Sequence, residues 1–170
     1  PAAACDEFVE HRLRFVVAPL LDQQFRFRHQ PRASPFRLGI AHLAERPVNG
    51  VSGGERQLAL IARALATEAA FLVMDEPTAN LDFGNQARVL EEVARLKQAG
   101  IGLLVSTHHP EHAFRIADRA LLLAKGTLIA QGPVDATLTS PNLTALYGRP
   151  VEVASVRLAD GSERRVCLTA

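Results

Sequence analysis

The chain has 170 residues, of which 48% are hydrophobic, so it is long enough to build the core of one globular domain. Its 19 basic and 18 acidic residues leave a net charge of +1, which does not by itself identify a partner. Two cysteines, Cys5 and Cys167, stand at opposite ends without zinc-binding spacing, and no apolar run is long enough to span a bilayer.

Residues 1–37 carry six arginines among phenylalanines and prolines and show no sustained helical or strand period. We assign this segment no fold role and expect it to be solvated or partly disordered. A basic stretch with interspersed aromatic residues can bind nucleic acid, but without a regular surface that interpretation is less favoured. We therefore expect no nucleic-acid partner.

From Leu38 onward the hydrophobic pattern predicts regular elements joined by short links. Leu58, Ile61 and Leu65 fall on one helix face, whereas the run FLVM at residues 71–74 is typical of a buried strand. The predicted elements in chain order are a helix over residues 55–66, a strand over 71–74, a helix over 85–98, a strand over 101–105, a helix over 111–117 and a strand over 120–124. Strands that alternate with helices predict a parallel sheet flanked by helices.

Two turn signals shape the last third of the chain. Lys125-Gly126 predicts a turn into an antiparallel strand over residues 127–130. Asp160-Gly161 predicts a hairpin between strands over residues 151–158 and 164–168. We therefore divide the chain into an unassigned segment (1–37), a main domain (38–150) and a small hairpin appendage (151–170).

Residues 50–54, GVSGG, match the G-x-S-x-G pattern of serine hydrolases. Asp75, Asp82 and His108 follow in the order of the hydrolase triad. A nucleophile elbow requires a buried strand that delivers the serine, yet residues 44–49 are polar and contain a proline. The pattern therefore does not favour a hydrolase.

Ser52-Gly53-Gly54 also precedes the predicted helix directly, which suits a second role. The first amide groups of a helix lack partners within the helix and carry the positive end of its dipole, so they attract anions. Two glycines would let a phosphate approach the backbone closely. Taken alone, the pattern also fits an ordinary serine N-cap.

Acidic side chains follow the next strand. Asp75 and Glu76 stand at the carboxyl end of the predicted strand over residues 71–74, which is the end where ligands of parallel α/β sheets bind. Carboxylates there suit Mg²⁺, which keeps several waters and bridges to phosphates, and Glu76 would be placed to activate water. Taken alone, the pair also fits a solvated Asp-Glu-Pro turn.

His108 follows the next predicted strand at the same edge and could contact a transferring phosphate, although a lone histidine there is more often a structural hydrogen-bonding group. His108 and His112 are four residues apart, which also raises a metal site. Pro110 lies between them and argues against one continuous helix that carries both rings.

Taken together, these segments resemble the motifs of ATP-binding cassette (ABC) ATPases. Residues 51–57 (VSGGERQ) resemble the signature motif, and residues 71–76 (FLVMDE) resemble the Walker B strand. Residues 79–82 (ANLD) resemble the D-loop, and Thr107-His108 resembles the switch-histidine segment. The resemblance covers residues 38–150, and residues 138–150 are similar to the tail of importers for iron chelates, cobalamin and oxyanions or metals.

The resemblance implies an α/β fold of the P-loop NTPase type: a parallel sheet flanked by helices, a remnant of the helical subdomain and a C-terminal β-hairpin. It also implies ATP and Mg²⁺ as cofactors. The resemblance implies that Ser52, Gly53 and Gly54 contact the γ-phosphate of ATP held by the opposing subunit, and that Gln57 belongs to the same motif. It implies that Asp75 supports Mg²⁺ and that Glu76 is the general base. It also implies that Asp82 communicates across the dimer and that His108 senses or stabilises the γ-phosphate.

The sequence departs from the family in one respect. A cassette that holds its own ATP needs G-x-x-x-x-G-K-[ST], and neither Lys97 nor Lys125, the only lysines, follows a glycine. We therefore expect the C-terminal part of a cassette, an incomplete ABC ATPase domain. This part could supply a signature surface to a partner's ATP but could not hold its own.

The expected function is that of an ATP-hydrolysing ABC transporter subunit, which couples hydrolysis to transport, with import of an iron chelate, metal or related solute favoured. Exporters and other importers stay open as alternatives. The expected partners are a second ABC ATPase subunit and integral membrane permease subunits, at the cytoplasmic face of the inner membrane. The alternative is a degenerate, non-catalytic cassette fragment that acts only as a docking or regulatory module.

Overall fold

The computed structural model describes residues 14–15, 38–67 and 69–169. The segment expected to be solvated or partly disordered therefore lies outside the described residues, except for Arg14–Phe15, which form the short strand β1. Two 3-10 turns, Ala41–Leu43 and Val48–Gly50, precede the first α-helix. These turns occupy the position of the expected helical-subdomain remnant.

The remaining elements follow the predicted order. They are α1 (Gly53–Leu65), β2 (Phe71–Asp75), α2 (Phe83–Gln98), β3 (Gly102–Ser106), α3 (Pro110–Ile116), β4 (Arg119–Ala124), β5 (Thr127–Pro133), α4 (Val134–Thr137), α5 (Ser140–Tyr147), β6 (Val151–Arg157) and β7 (Glu163–Thr169). Every helix and strand predicted from residue 55 onward is confirmed. Helices α4 and α5 were not predicted.

Strands β2 and β3 pair in parallel, with Asp75 opposite Ser106 and α2 as the connection between them. Strand β4 differs from the prediction, because its partners β1 and β5 both run antiparallel to it. Strand β5 pairs along one edge of β4, and β1 pairs along the other at Leu122 and Leu123. Within the described residues, the parallel ladder therefore consists of β2 and β3.

The core lies between the helices and the sheets. The predicted apolar faces are the ones buried: Leu58, Ile61 and Leu65 of α1, and Val89, Val93 and Leu96 of α2. Leu103 and Val105 of β3 lie in the same cluster. Burial of each such side chain stabilises the fold by about 1.5–3 kcal/mol.

Strand β2 was predicted to be buried throughout, and this prediction is wrong for one face. Leu72 is buried, but Val73 is 70% exposed and Phe71 is 43% exposed. Successive side chains of a strand point to opposite faces, so Phe71 and Val73 share the uncovered face. Phe71 also lies against Gly102, where an added Cβ would come within 2.5 Å of the phenylalanine ring.

The C-terminal hairpin forms as predicted, by antiparallel pairing of β6 with β7. At its turn Gly161 adopts φ +82°, and the Ser162 amide donates to Asp160 Oδ1 at 2.9 Å. The hairpin also packs on α3, because the Cys167 amide donates to Glu111 Oε1 at 3.1 Å. None of the described helices has the length and apolar character needed to cross a membrane.

Candidate functional site

The parallel pairing places a cluster of polar groups at the end of β2 and β3. Ser106 Oγ donates to Asp75 Oδ1 across the two strands. The Glu76 amide donates to the Ser106 carbonyl oxygen at 3.0 Å and to Ser106 Oγ at 3.2 Å. Ser106 therefore holds Asp75 and Glu76 at the carboxyl end of the two parallel strands.

Glu76 has a backbone conformation that is unfavourable for its residue type. Its φ is +47°, in the left-handed region, where a residue other than glycine costs about 1–3 kcal/mol. Such conformations persist where surrounding bonds enforce them, and they cluster at functional sites. The two bonds to Ser106 supply that constraint here.

The two oxygens of the Glu76 carboxylate lie in different environments. Oε1 lies 2.9 Å from Nδ1 of His108, whose side chain is 51% exposed. Oε2 is buried and has no hydrogen-bond partner within the described part of the chain. Because an unpaired buried oxygen is costly, this atom is available to accept a bond from a ligand or water.

Three histidines lie together next to this carboxylate. The rings of His108 and His109 are 3.9 Å apart, and those of His109 and His112 are 4.7 Å apart. Burial lowers the pKa of His112 to about 4, with further lowering from His109, and its Nδ1 lies 3.3 Å from Thr78 Oγ1. His112 is therefore neutral at physiological pH.

The helical metal site considered for these histidines does not form. Helix α3 begins at Pro110, so His108 lies outside the helix that carries His112. In the part of the chain that the structure covers, no group of three or more His, Cys, Asp and Glu side chains is arranged to hold a metal. Mg²⁺ needs no such group, because it is held by one or two carboxylates together with water and phosphate. Asp75, whose Oδ1 accepts from Ser106 Oγ, fits that donor set.

Ser52 is the N-cap of α1 and forms a capping box with Glu55. The Glu55 amide donates to Ser52 Oγ at 3.3 Å, and the Ser52 amide donates to Glu55 Oε2 at 2.8 Å. The bond from the Ser52 amide holds the pKa of Glu55 below its ordinary value. The capping box leaves the amides of Gly53 and Gly54 without an intrahelical partner.

Ser52 cannot serve as a hydrolase nucleophile in this arrangement. A 3-10 turn, Val48–Gly50, precedes it in place of a strand, and its hydroxyl caps the helix. The G-x-S-x-G match therefore reflects a helix start.

Asp82 is the N-cap of α2 and is joined to the signature segment through Asn85. The Asn85 amide donates to Asp82 Oδ1 at 2.9 Å, and Asn85 Nδ2 donates to Oδ2 at 2.6 Å. These two bonds lower the pKa of Asp82, and the bond from the Asn85 backbone amide has the larger effect. The Asn85 side chain also lies against Gly54, where an added Cβ would come within 2.3 Å of Asn85 Oδ1. Gly54 thus allows α1 and α2 to approach.

Gln57 lines a groove of about 190 Å³ between α1 and β2. Asp75 lines the same groove from the β2 side. Apart from Gln57, the predicted site residues come together in two clusters. Asp75, Glu76 and His108 form the acid cluster, and Ser52, Gly53, Gly54 and Asp82 form the cap cluster.

Three residues of the site were not predicted: Ser106, Asn85 and Tyr147. Ser106 is the last residue of β3 and pairs with Asp75, the last residue of β2. An alignment of the two predicted strands by their ends could have indicated this contact. Asn85 stands three residues after Asp82, the spacing at which a cap is satisfied. Tyr147 lies far along the chain and donates to the His108 carbonyl oxygen at 3.0 Å, a contact with no local sequence signal.

Comparison with known proteins identifies the family of this chain. A family profile for an AAA domain, described in connection with AbiEii-like toxins of type IV toxin–antitoxin systems, matches residues 7–112. An ABC transporter ATP-binding protein of Haemophilus influenzae, itself uncharacterized, is 45% identical over 127 residues, which are 75% of this chain and 48% of that protein. The chain belongs to the ABC transporter ATP-binding family.

Two further ABC proteins are similar to this chain. The molybdate import ATP-binding protein MolC of Haemophilus influenzae is 43% identical over 115 residues, 67% of this chain and 45% of that protein. An ABC transporter assigned to the metal-chelate type, solved in an inward-facing conformation, superposes with a TM-score of 0.75 at 36% identity. That match covers 80% of this chain and 54% of the other. The ABC ATPase fold expected from the motifs is therefore confirmed, and the chain spans about half the length of these relatives.

Proposed function

We propose that the chain forms part of the ATP-hydrolysing subunit of an ABC import system. In this proposal, the acid cluster activates water at one nucleotide, and the cap cluster binds the terminal phosphate of a nucleotide held by a second ATPase subunit. The observation that carries the proposal is Glu76, whose backbone is strained, whose Oε1 lies on His108 and whose buried Oε2 lacks a partner among the described residues.

Glu76 has the features of a general base. A general base must lie within hydrogen-bond reach of the proton it accepts, and the unpartnered Oε2 is the free acceptor. His108 Nδ1 contacts the other oxygen, which orients the carboxylate. We propose that Oε2 accepts the proton of the attacking water while His108 also contacts the γ-phosphate.

Asp75 would hold Mg²⁺, which neutralises phosphate charge when bound. The bond from Ser106 Oγ fixes one oxygen of Asp75, so its side chain is oriented toward the sheet edge before nucleotide binds. Asp75 also shares the groove between α1 and β2 with Gln57. We propose that both side chains contact the bound nucleotide complex.

The cap cluster supplies the second half of a composite site. The amides of Gly53 and Gly54 lie at the positive end of α1, which favours a phosphate oxygen. Asp82 caps the start of α2 beside them, and Asn85 links the two helix starts. We propose that Asp82 communicates between the two nucleotide sites of a dimer, and its position beside the start of α1 supports this role.

The solute that we propose is a metal chelate or an oxyanion, imported through membrane permease subunits. The similarity to a molybdate import protein and to a metal-chelate type transporter supports this class. In such a system the chain would lie at the cytoplasmic face of the inner membrane. A hybrid in which residues 38–169 replace the matching part of MolC tests the assignment, because it should restore molybdate uptake if these residues fit that permease.

Turnover is tested in a second hybrid, made from the Haemophilus relative that is 45% identical to this chain. The part of that relative that the match does not cover, joined to residues 38–169, should hydrolyse ATP. Glu76→Gln should then lower kcat by about 100-fold or more, since removal of a general base costs 10²–10⁴. Glu91→Gln is the matched control, because Glu91 pairs with Arg115 at 3.1 Å outside the site. A hybrid whose turnover is unaffected by Glu76→Gln would refute the role of Glu76.

A non-catalytic docking module is the second candidate. The absence of any Gly-Lys pair in the sequence favours it, because the phosphate-binding loop requires that pair. A hybrid that folds and binds ATP, yet shows no turnover, would support this module over the enzyme subunit.

A further inference from the structure

The switch-histidine segment is bound from a distant part of the chain. Tyr147, the last residue of α5, donates its hydroxyl to the carbonyl oxygen of His108 at 3.0 Å, across 39 residues of sequence. The tyrosine side chain is partly buried and packs against the core cluster. The bond therefore fixes the backbone of the residue whose ring contacts Glu76.

Helix α5 is itself held firmly in place. Its side chains Leu143 and Leu146 are buried in the core. Thr144 Oγ1 accepts from the Val151 amide at 3.0 Å, and Ser140 Oγ accepts from the Val153 amide at 2.9 Å. These bonds connect α5 to the first strand of the C-terminal hairpin.

The hairpin reaches the same histidine segment by a second route. The Cys167 amide of β7 donates to Glu111 at 3.1 Å, in the first turn of α3. Arg165 of the same strand lies 5.9 Å from the centre of the Phe114 ring. Both ends of the segment from His108 to Phe114 are thus bound by residues beyond position 139.

We propose that Tyr147 is a positioning residue that holds His108 against Glu76, and that α5 with the C-terminal hairpin forms the support for this contact. The inference rests on the proposed function of His108 and Glu76. Loss of the tyrosine hydroxyl frees the His108 carbonyl, so the imidazole no longer stays within hydrogen-bond reach of Glu76. Changes in the C-terminal hairpin are thereby transmitted to the acid cluster.

The test is Tyr147→Phe, which removes only the hydroxyl, with Thr67→Val as the control. Thr67→Val removes a hydroxyl bond to the Ala64 carbonyl oxygen, which lies outside α5 and the C-terminal hairpin. In wild-type chain labelled with ¹⁵N at histidine, and assigned with His108→Gln, the His108 Nδ1 resonance should report the contact with Glu76. We expect that resonance to shift in Tyr147→Phe and to stay unchanged in Thr67→Val. An unchanged His108 resonance in a folded Tyr147→Phe variant would overturn the proposal.

A reciprocal measurement does not depend on the folding of the tyrosine variant. Tyr147 is the only tyrosine of the chain, so ¹³C labelling at its ring Cζ gives one resonance. Glu76→Gln should shift that resonance through His108, whereas Glu91→Gln should not. An identical Tyr147 resonance in wild type and Glu76→Gln would contradict the coupling.

Turnover separates this inference from the proposed function. In the active ATPase hybrid, Tyr147→Phe should lower kcat several-fold and leave KM for ATP unchanged. If both resonances respond but kcat does not change, the positioning contact stands and the role of His108 in hydrolysis fails. If kcat falls while neither resonance responds, the positioning contact fails and the hydrolytic role of Glu76 is unaffected.

Discussion

Replacement of Gly54 by alanine should destabilise the chain through one steric conflict. The new Cβ would lie 2.3 Å from Oδ1, 2.6 Å from Cγ and 2.9 Å from Cβ of Asn85, all closer than real contacts allow. Overpacking of this kind costs about 1–3 kcal/mol, whereas the higher helix propensity of alanine returns at most ~1 kcal/mol. We expect a net loss of up to about 2 kcal/mol in the free energy of unfolding.

The assay is denaturant unfolding of Gly54→Ala beside two companions. Gly84→Ala is the matched control, because its Cβ would lie 3.4 Å from the nearest atom, Asp82 Oδ1, which is an ordinary contact. Asn85→Gly removes the whole conflicting side chain, so Gly54→Ala should cost less in that background than in the wild type. If Gly54→Ala is as stable as Gly84→Ala, or if Asn85→Gly does not reduce its cost, the close approach of α1 and α2 is not what requires a glycine.

Three further predictions concern the chain as a whole. The chain alone should hydrolyse ATP at background level, because it has no Gly-Lys pair; turnover that Glu76→Gln abolishes would contradict this. The free energy of unfolding should fall as the pH drops from about 6.5 to about 4, because His112 takes up a proton in the unfolded chain at a higher pH than it does in the folded chain. His112→Gln should make this pH dependence less steep. An equal slope in wild type and His112→Gln would exclude His112 as its source. Burial raises the pKa of Tyr147 to about 12 from 10.0, so the free energy of unfolding should fall as the pH rises from 10 toward 12. The ultraviolet titration of this single tyrosine should have its midpoint near 12. A midpoint near 10 in folded protein would show that the hydroxyl is not buried.

Local signals were sufficient where a short stretch determines its own structure. The apolar period predicted a helix over residues 55–66, and α1 begins two residues earlier, at Gly53, because Ser52 and Glu55 form a capping box. Asp75 and Glu76 follow an apolar run, so their position at the sheet edge was also predictable. Both placements depend on hydrogen bonds and periodicity within a few residues.

The contacts that were missed join residues far apart in sequence. Ser106 meets Asp75 only because β2 and β3 pair in one particular register, and Tyr147 meets His108 only after α5 has packed. The exposure of the Phe71 and Val73 side chains could not be predicted either. An apolar run has the same sequence pattern whether or not a neighbouring element covers the strand. Such features are set by tertiary packing.

The open side of β2 has a practical consequence for purified protein. Within the described residues β2 pairs along one edge only, and its sequence from Phe71 to Met74 carries no charge and no proline. A bare apolar edge is a template for strand addition by another molecule. We therefore expect concentrated solutions to aggregate, with light scattering that rises steeply with concentration and is suppressed by Val73→Lys.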